Sequence, residues 1–197
     1  MPAKTLTPQE LNQALSSAAQ CTRWGLRNRM LLLITHWSGM RVCEVASLRL
    51  ADVLDVRGEI VSEIQLQATQ TKGSHAGVVV LPQRLQTELR NYIKRQFGLK
   101  SLTGVAYEFG HKPLFYTQKR NAFTPNTLTQ TFAAIYKEAG IKGATSHSGR
   151  RTWLTQLAAK GANVRVLQSL AGHRSLAVTQ RYIEVNDHLR RTVAEMI

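Results

Sequence analysis

The stretch LAGHRSLAVTQRY, residues 170–182, contains the two side chains that best indicate what the rest of the chain is for. His173 follows Gly172, and a glycine is the residue that most often ends a helix in the left-handed conformation. Tyr182 comes about two helical turns later, and arginines stand beside both residues. Neither residue lies in an apolar pattern typical of a protein core, which indicates a polar role.

The composition limits the class of protein. With 197 residues, of which 43% are hydrophobic, the chain is long enough for one compact domain with a buried core. Lys and Arg number 26 against 12 Asp and Glu, a formal net charge of +14. We therefore expect a polyanionic partner, with nucleic acid favoured over an anionic membrane surface.

Targeting and redox features are consistent with an intracellular protein. No apolar run approaches the roughly 18 residues of a transmembrane helix, and the N-terminus MPAKTLTPQE lacks the apolar segment of a signal peptide. We expect a cytoplasmic, nucleoid-associated protein with no membrane partner. Cys21 and Cys43 have no metal-ligand or CxxC spacing and are expected to be buried thiols, and we expect no metal or cofactor.

The pattern of apolar residues predicts a mainly α-helical fold with a small antiparallel β-sheet, an α+β class. Thr7, Pro8 and Glu10 have the spacing of a capping box, which starts a helix running to about residue 19. The alternation in residues 64–69, the turn-forming TKGSHAG and the run VVVL before Pro82 predict a β-hairpin. Further helices are predicted over residues 24–37, 41–49, 83–96, 125–139, 146–160 and 164–171.

Two pairs of polar residues stand three positions apart, a spacing that places both members of a pair on one face of a helix. They are Arg41 with Glu44, and His147 with Arg150; the second pair starts a predicted helix, whose first N–H groups favour an anion. Lys72 lies at the tip of the predicted hairpin. Taken singly, these features also fit ordinary roles, such as a surface ion pair or a solvated turn lysine.

Together with Tyr182, these residues match the chemistry of breaking a phosphodiester by transesterification. That reaction needs a nucleophile with a transferable proton, which Tyr182 supplies. It also needs cations on two non-bridging oxygens, and arginine suits this task because its planar guanidinium donates two parallel hydrogen bonds. Arg41 and Arg150 are available for this clamp, and Lys72 is a candidate acid for the departing 5′ oxygen. The tyrosine ester keeps the energy of the broken bond, so the strand can be resealed without ATP or a metal.

The order and spacing of these residues resemble the catalytic domain of the tyrosine recombinases, the family of the phage integrases, Xer and Cre. The resemblance rests on Arg41 in SGMRVCEVASL, Lys72 in TKGS, His147 and Arg150 in HSGR, His173 in LAGHRS, Tyr182 in TQRY, and the first helix LTPQEL. Gly149 stands where the family commonly has a leucine, and Arg151 where it commonly has a histidine. We expect these departures to change helix packing and local charge and to leave the reactive pair intact.

The resemblance implies a catalytic role for six residues and a supporting role for a seventh: Arg41, Lys72, His147, Arg150, His173 and Tyr182, with Glu44 in support. Tyr182 would form a 3′-phosphotyrosyl link with one DNA strand, and Lys72 would protonate the departing 5′ oxygen. His147 would assist proton transfer at the nucleophile. The two arginines and His173, together with His147, would bind the scissile phosphate.

The resemblance also implies an organisation. Residues 1–197 would form a single catalytic domain without the N-terminal core-binding domain that most family members carry, either as a fragment or as a naturally short recombinase. Four protomers would act on double-stranded DNA as a tetramer, and residues 183–197 would be a C-terminal docking segment, although a helix packed on its own domain explains that segment nearly as well. The reaction would be integration, excision or inversion of a mobile or switchable DNA element.

Two other functions share part of this pattern. A type IB topoisomerase uses similar tyrosine, arginine and lysine chemistry but relaxes supercoils as a monomer; the segment LAGH and the small size of the chain favour a recombinase. A DNA-binding regulator would bind without cleavage, which the complete set of reactive residues disfavours. His36 lies in an apolar predicted helix, so we expect a core residue rather than a ligand.

Overall fold

The computed structural model describes residues 3–20, 23–71, 76–182 and 195. Within these residues the chain forms ten α-helices and one two-stranded antiparallel sheet, which confirms the predicted fold class. The elements in chain order are α1 (Pro8–Gln20), α2 (Gly25–Ser38), α3 (Val42–Ser47), α4 (Leu50–Val53), β1 (Glu63–Leu66), β2 (Gly77–Val80), α5 (Gln83–Phe97), α6 (Val105–Phe109), α7 (Pro125–Glu138), α8 (Ser148–Ala159), α9 (Val164–Ala171) and α10 (Leu176–Gln180). None of the described helices is both long enough and apolar enough to span a membrane.

α1 begins at the predicted capping box. The Thr7 N–H donates to Glu10 Oε2 over 3.0 Å, and the Glu10 N–H donates to Thr7 Oγ1 over 3.2 Å. Each side chain therefore satisfies a backbone donor that has no partner within the helix. Ala14 and Ala18 are buried, and α1 packs against α2.

α2 is the central helix of the core. Its residues Leu31, Leu32, Leu33 and Ile34 have no exposed surface, because α1, α5 and α8 pack around this helix. The helix is followed by Gly39, whose φ of +69° lies in the left-handed region. Glycine adopts this conformation at low steric cost because it has no Cβ atom. The predicted helix over residues 24–37 is therefore confirmed to within one residue at each end.

The predicted helix over residues 41–49 is shorter in the structure. α3 ends at Ser47 because the backbone of Leu48 is extended and its carbonyl accepts from the Leu114 N–H over 2.8 Å. A separate short helix, α4, then begins where Asp52 accepts from the Arg49 N–H over 2.8 Å. The sequence did not indicate α6 either, since five residues are too few to show a helical period.

The predicted hairpin is confirmed as β1 and β2, with Glu63 opposite Val80 and Leu66 opposite Gly77. β1 ends before its predicted limit because Ala68–Gln70 form a 3₁₀ turn. The tip, residues 72–75, lies outside the described residues, so the position of Lys72 stays a prediction.

α2 and α8 approach each other closely at Gly149. A Cβ atom at this position would lie 2.5 Å from Thr35 Oγ1, 2.8 Å from Thr35 Cβ and 2.9 Å from His36 Nδ1. These distances are shorter than van der Waals contact, and both neighbouring side chains are buried. The close packing of α2 and α8 therefore explains why position 149 is glycine rather than the leucine that is common in the family the sequence resembles.

His36 is buried in the same interface, which confirms the expected core residue. Its Nδ1 atom lies 2.8 Å from the Leu32 carbonyl, so Nδ1 carries the proton and donates. Nε2 is buried and has no hydrogen-bond partner among the described residues. Burial lowers the pKa of His36 from 6.5 to about 4, although the hydrogen bond to Leu32 opposes this shift.

Gly149→Ala is expected to destabilise the protein by about 1–3 kcal/mol, because α2 and α8 must separate to admit a methyl group. Gly77→Ala is the matched control, since a Cβ atom at Gly77 meets no atom within 4 Å. The free energies of unfolding of both variants can be measured in urea. Equal stability of the two variants would contradict the close approach at Gly149.

The stability that neutral His36 contributes is expected to decrease as the pH falls. Its pKa is about 4 in the folded protein against 6.5 for an ordinary histidine, so the unfolded chain binds more protons between these values. The contribution is therefore complete above pH 6.5 and is lost toward pH 4. His36→Asn keeps a donor for Leu32 and removes the titrating ring, so its free energy of unfolding should fall less steeply over this interval, as measured in urea at a series of pH values. A slope equal to that of the wild type would overturn this assignment.

Candidate active site

A cleft of about 800 Å³ lies where the ends of α2 and α9 meet the start of α3. Residues of β2 and of α10 also line it. The cleft brings together side chains from distant parts of the chain, and its charged and polar lining includes Arg41, Glu44, Thr71, Arg150, His173 and Arg174. Four of the residues predicted to act together therefore converge in one place.

Arg150 extends from α8 and is only 8% exposed. Its Nη1 donates to the Gly39 carbonyl over 2.6 Å, and its Nη2 donates to the Ala171 carbonyl and lies 3.2 Å from His173 Nε2. The two carbonyls stand at the C-terminal ends of α2 and α9, where the helix dipole is negative and stabilises a cation. Burial, and then the charge of Arg41, lower the pKa of Arg150 to about 10, so the guanidinium stays charged at neutral pH.

Arg41 lies directly before α3 with an extended backbone, so its predicted position on a face of that helix is wrong. The extended backbone lets Glu44 reach back and accept twice from Arg41, from the N–H over 2.7 Å and from Nη1 over 2.9 Å. Glu44 is 3% exposed, which excludes an ordinary surface ion pair. Nη2 of Arg41 donates to the carbonyls of Ala171 and Gly172 over 3.2 and 3.3 Å.

The carbonyl of Ala171 therefore accepts from both guanidinium groups. Ala171 is the last residue of α9, and Gly172 follows it with a φ of +58° that turns the chain toward His173. The positive charges of Arg41 and Arg150 can share one carbonyl because backbone carbonyl oxygens and the Glu44 carboxylate offset the repulsion between them. Both guanidinium groups line the cleft, an arrangement suited to two oxygens of one phosphate.

His173 is held between Arg150 and Thr179. Its Nε2 lies 3.2 Å from Arg150 Nη2, and its Nδ1 lies 3.0 Å from Thr179 Oγ1. Gln168 fixes the backbone, because the His173 N–H donates to the Gln168 carbonyl and the Gln168 amide donates to the His173 carbonyl, each over 3.1 Å. Burial, then the charges of Arg150 and Arg41, lower the pKa of His173 to about 4, so its ring is neutral at neutral pH.

Tyr182 follows α10 and is partly buried. Its N–H donates to the Thr179 carbonyl over 3.0 Å, and its ring stacks on that of His173 with centroids 5.9 Å apart and planes 20° apart. The guanidinium carbon of Arg151 lies 5.7 Å from the centroid of the tyrosine ring. Arg151 stands where the family that the sequence resembles commonly has a histidine. It therefore places a positive charge against the ring of the candidate nucleophile.

His147 stands at the start of α8, as the sequence predicts, and its N–H donates to Thr145 Oγ1 over 3.3 Å. Its side chain is exposed, and its proposed part in the reaction stays a prediction. Lys72 lies outside the described residues, but Thr71 and Ala76, on either side of the hairpin tip, line the cleft. The predicted docking segment, residues 183–197, also lies outside the described residues apart from residue 195.

Three groups of the site were not identified from the sequence: the carbonyls of Gly39 and Ala171, and the hydroxyl of Thr179. A backbone carbonyl has no sequence signature of its own. The only signal for it was the glycine at each helix end, where the last carbonyls have no partner within the helix. For Thr179 the only signal was its place three residues before Tyr182.

The chain is similar to known proteins over most of its length. Residues 4–188 match the model of the phage integrase family. Tyrosine recombinase XerA of Pyrococcus furiosus is 27% identical over 195 residues, which cover 96% of this chain and 60% of the relative. The chain thus spans about three fifths of the length of this curated relative.

Solved structures share the fold. The crystal structure of XerA recombinase matches with a TM-score of 0.71 at 24% identity, over 99% of this chain and 65% of that chain. The structure of XerH site-specific recombinase bound to palindromic difH substrate, a post-cleavage complex, matches with a TM-score of 0.70 at 23% identity. That match covers 98% of this chain and 52% of the XerH chain.

Glu44→Gln is expected to destabilise the protein by about 1–3 kcal/mol. The two carboxylate oxygens of Glu44 each accept an N–H group of Arg41. An amide offers only one acceptor, so the second contact becomes donor against donor, and the negative charge beside the arginines is lost. The free energy of unfolding in urea measures this effect.

Asp52→Asn is the matched control for this substitution. Asp52 uses one oxygen, Oδ2, to accept from the Arg49 N–H over 2.8 Å and from the Gln70 amide over 3.1 Å. An amide oxygen can keep both contacts, so we expect a smaller loss. If Glu44→Gln cost no more than Asp52→Asn, the negative charge of Glu44 would not be needed beside the arginines.

Proposed function

The chain belongs to the phage integrase family, and on this premise we propose that it is a site-specific DNA recombinase that cleaves and rejoins strands through a 3′-phosphotyrosyl intermediate. One observation carries the proposal. Arg41 and Arg150 meet at the Ala171 carbonyl, beside the stacked rings of His173 and Tyr182. This arrangement supplies a phosphate clamp next to a nucleophile.

Tyr182 is the proposed nucleophile. Its phenol oxygen attacks the phosphorus of the scissile phosphodiester, so that a bond forms between this oxygen and phosphorus while the bond to the 5′ oxygen breaks. His147 receives the phenol proton, and Lys72 donates a proton to the departing 5′ oxygen. Rejoining is the reverse reaction, in which a 5′-hydroxyl attacks the phosphotyrosine. One ester replaces another in each step, so no external energy source is required.

Arg41 and Arg150 bind the two non-bridging oxygens in this proposal. Contacts with Gly39 and Ala171 orient Arg150 before DNA arrives, so little reorganisation is needed as charge grows on the phosphate. The guanidinium of Arg41 has more N–H donors than its three side-chain contacts with Glu44, Ala171 and Gly172 require. It can therefore bind the phosphate while Glu44 holds it in place.

Arg151 contacts the proposed nucleophile. A cation over an aromatic ring is attracted by the ring's electrons. With its guanidinium carbon 5.7 Å from the ring centroid, Arg151 therefore helps to hold the ring of Tyr182 in place.

Double-stranded DNA is the proposed substrate, and the formal net charge of +14 supports binding along its phosphate backbone. Recombination joins two DNA sites, so we assign four protomers to a DNA-bound tetramer at the nucleoid, with residues 183–197 as the docking segment. The proposed outcome is integration, excision or inversion of a mobile or switchable DNA element.

Tyr182→Phe is expected to abolish the covalent protein–DNA adduct while DNA affinity stays within about twofold of the wild type, because the phosphate contacts that dominate affinity remain. The adduct can be measured as an SDS-resistant complex on nicked duplexes prepared from the DNA of the source organism. Filter binding on the same duplexes measures affinity.

Tyr107→Phe is the matched control, since Tyr107 is 94% exposed on α6 and should not affect the adduct. An adduct that persisted in Tyr182→Phe, or that disappeared in both variants, would refute the assignment of the nucleophile. Sequencing the DNA in the wild-type adducts identifies the cleaved site.

A further inference from the structure

Thr179 connects the two candidate residues that stack on each other. It lies on α10 and has no exposed surface. Its Oγ1 is 3.0 Å from His173 Nδ1, and its carbonyl accepts from the Tyr182 N–H over 3.0 Å. A polar side chain buried this completely is normally hydrogen-bonded, and His173 Nδ1 is a partner of this hydroxyl.

The contacts of His173 determine where its proton is. A guanidinium has only donors, so Nη2 of Arg150, 3.2 Å from Nε2, requires a lone pair on Nε2. The proton of the neutral ring is therefore on Nδ1, and Nδ1 donates to Thr179 Oγ1. The low pKa of His173, caused by burial and the two arginines, agrees with a neutral ring.

The tautomer with its proton on Nδ1 does not suit the proposed role of His173, which is to bind the scissile phosphate through Nε2. A lone pair on Nε2 would repel a non-bridging phosphate oxygen, whereas an N–H at Nε2 would donate to it. When the phosphate takes the Nη2 donor of Arg150, the proton of the ring must move from Nδ1 to Nε2. The lone pair that this leaves on Nδ1 then needs a donor, and the Thr179 hydroxyl lies 3.0 Å from it.

We propose that Thr179 is the positioning residue for His173, and that its hydroxyl accepts from Nδ1 in the DNA-free protein and donates to Nδ1 when Nε2 donates to the scissile phosphate. The inference rests on the proposed function for the identity of the phosphate. The proton count does not change: Nε2 takes one proton from solvent, Nδ1 releases one to solvent, and the hydroxyl hydrogen of Thr179 rotates toward Nδ1.

A hydroxyl is suited to this exchange because it can both donate and accept. A carboxylate or a carbonyl at the same place could only accept and would hold the proton on Nδ1. The serine hydroxyl shares the two-way property of threonine, and valine has the same shape without it. Thr179→Ser and Thr179→Val therefore separate the hydrogen bond from the packing.

Nitrogen NMR of the full chain with labelled histidine tests the tautomer directly. In the free wild type, Nδ1 of His173 should be protonated and Nε2 should not. Inorganic phosphate, added until the side-chain N–H resonances of Arg41 and Arg150 stop shifting, should move the proton to Nε2; sodium chloride at equal ionic strength should not. Thr179→Ser should repeat both states. Thr179→Val should keep the proton on Nδ1 in the free protein, where Arg150 still donates to Nε2, and should not complete the move to Nε2 with phosphate.

The same variants are compared in adduct formation. Thr179→Val should slow the adduct by roughly tenfold to a hundredfold, the range expected for losing one buried hydrogen bond, with DNA affinity unchanged. Thr179→Ser should restore the wild-type rate to within about threefold, since it keeps the hydroxyl.

Three results would overturn the proposal: a free ring protonated on Nε2, a ring protonated on both nitrogens with phosphate, or a Thr179→Val variant whose ring proton moves to Nε2 with phosphate and whose adduct forms at the wild-type rate. The wild-type spectra need no variant, so the proposal stays testable if Thr179→Val does not fold. The free-state tautomer needs no DNA, so a wild type that forms no adduct would refute the proposed function and leave the tautomer result intact.

Discussion

The carbonyl of Ala171 is the contact on which the arrangement of the site depends. It accepts from Arg41 and from Arg150, and so holds two like charges together where little water can reach one of them. Such a pair is stable only among negative groups, because the cost of burying a charge adds to the repulsion. The C-terminal ends of α2 and α9 and the carboxylate of Glu44 are those groups, and α2, α3, α8 and α9 are placed so that they meet.

Three glycines allow the helices to pack closely enough for Arg41 and Arg150 to reach these carbonyl groups. Gly39 and Gly172 follow α2 and α9 with φ values of +69° and +58°, which turns the chain away and leaves the last carbonyls accessible. A Cβ atom at Gly39 would lie 2.2 Å from the ring of Trp153, so α8 packs directly on this turn. Gly149 admits the same closeness between α8 and α2, and this closeness lets Arg150 reach the Gly39 carbonyl.

His173 and Tyr182 form the other part of the site, where the histidine ring lies close to the positive charges of Arg150 and Arg41. Burial, and then the charges of Arg150 and Arg41, lower its pKa and keep it neutral, and its orientation follows from Thr179 on one side and Arg150 on the other. Thr179 also anchors the backbone of Tyr182, the proposed nucleophile, so one residue of α10 contacts both the tyrosine and the histidine. The two arginines and Tyr182 are thus connected through His173, by its stacking on the tyrosine ring and by its contact with the buried hydroxyl of Thr179.

The sequence by itself determined most of the elements and the family, while α4 and α6 appeared only in the structure. Helix starts, glycine caps and the hairpin depend on residues a few positions apart, as the bonds between Thr7 and Glu10 illustrate, so local patterns were enough to predict them. The order of the reactive side chains identified the family, which the match over residues 4–188 confirms. Only the tertiary structure decided which groups hold those side chains: Arg150 meets the Gly39 carbonyl across 111 positions, and Arg41 meets that of Ala171 across 130. A backbone carbonyl is the same chemical group at every residue, so its selection as a partner depends on where the packed helices end in space.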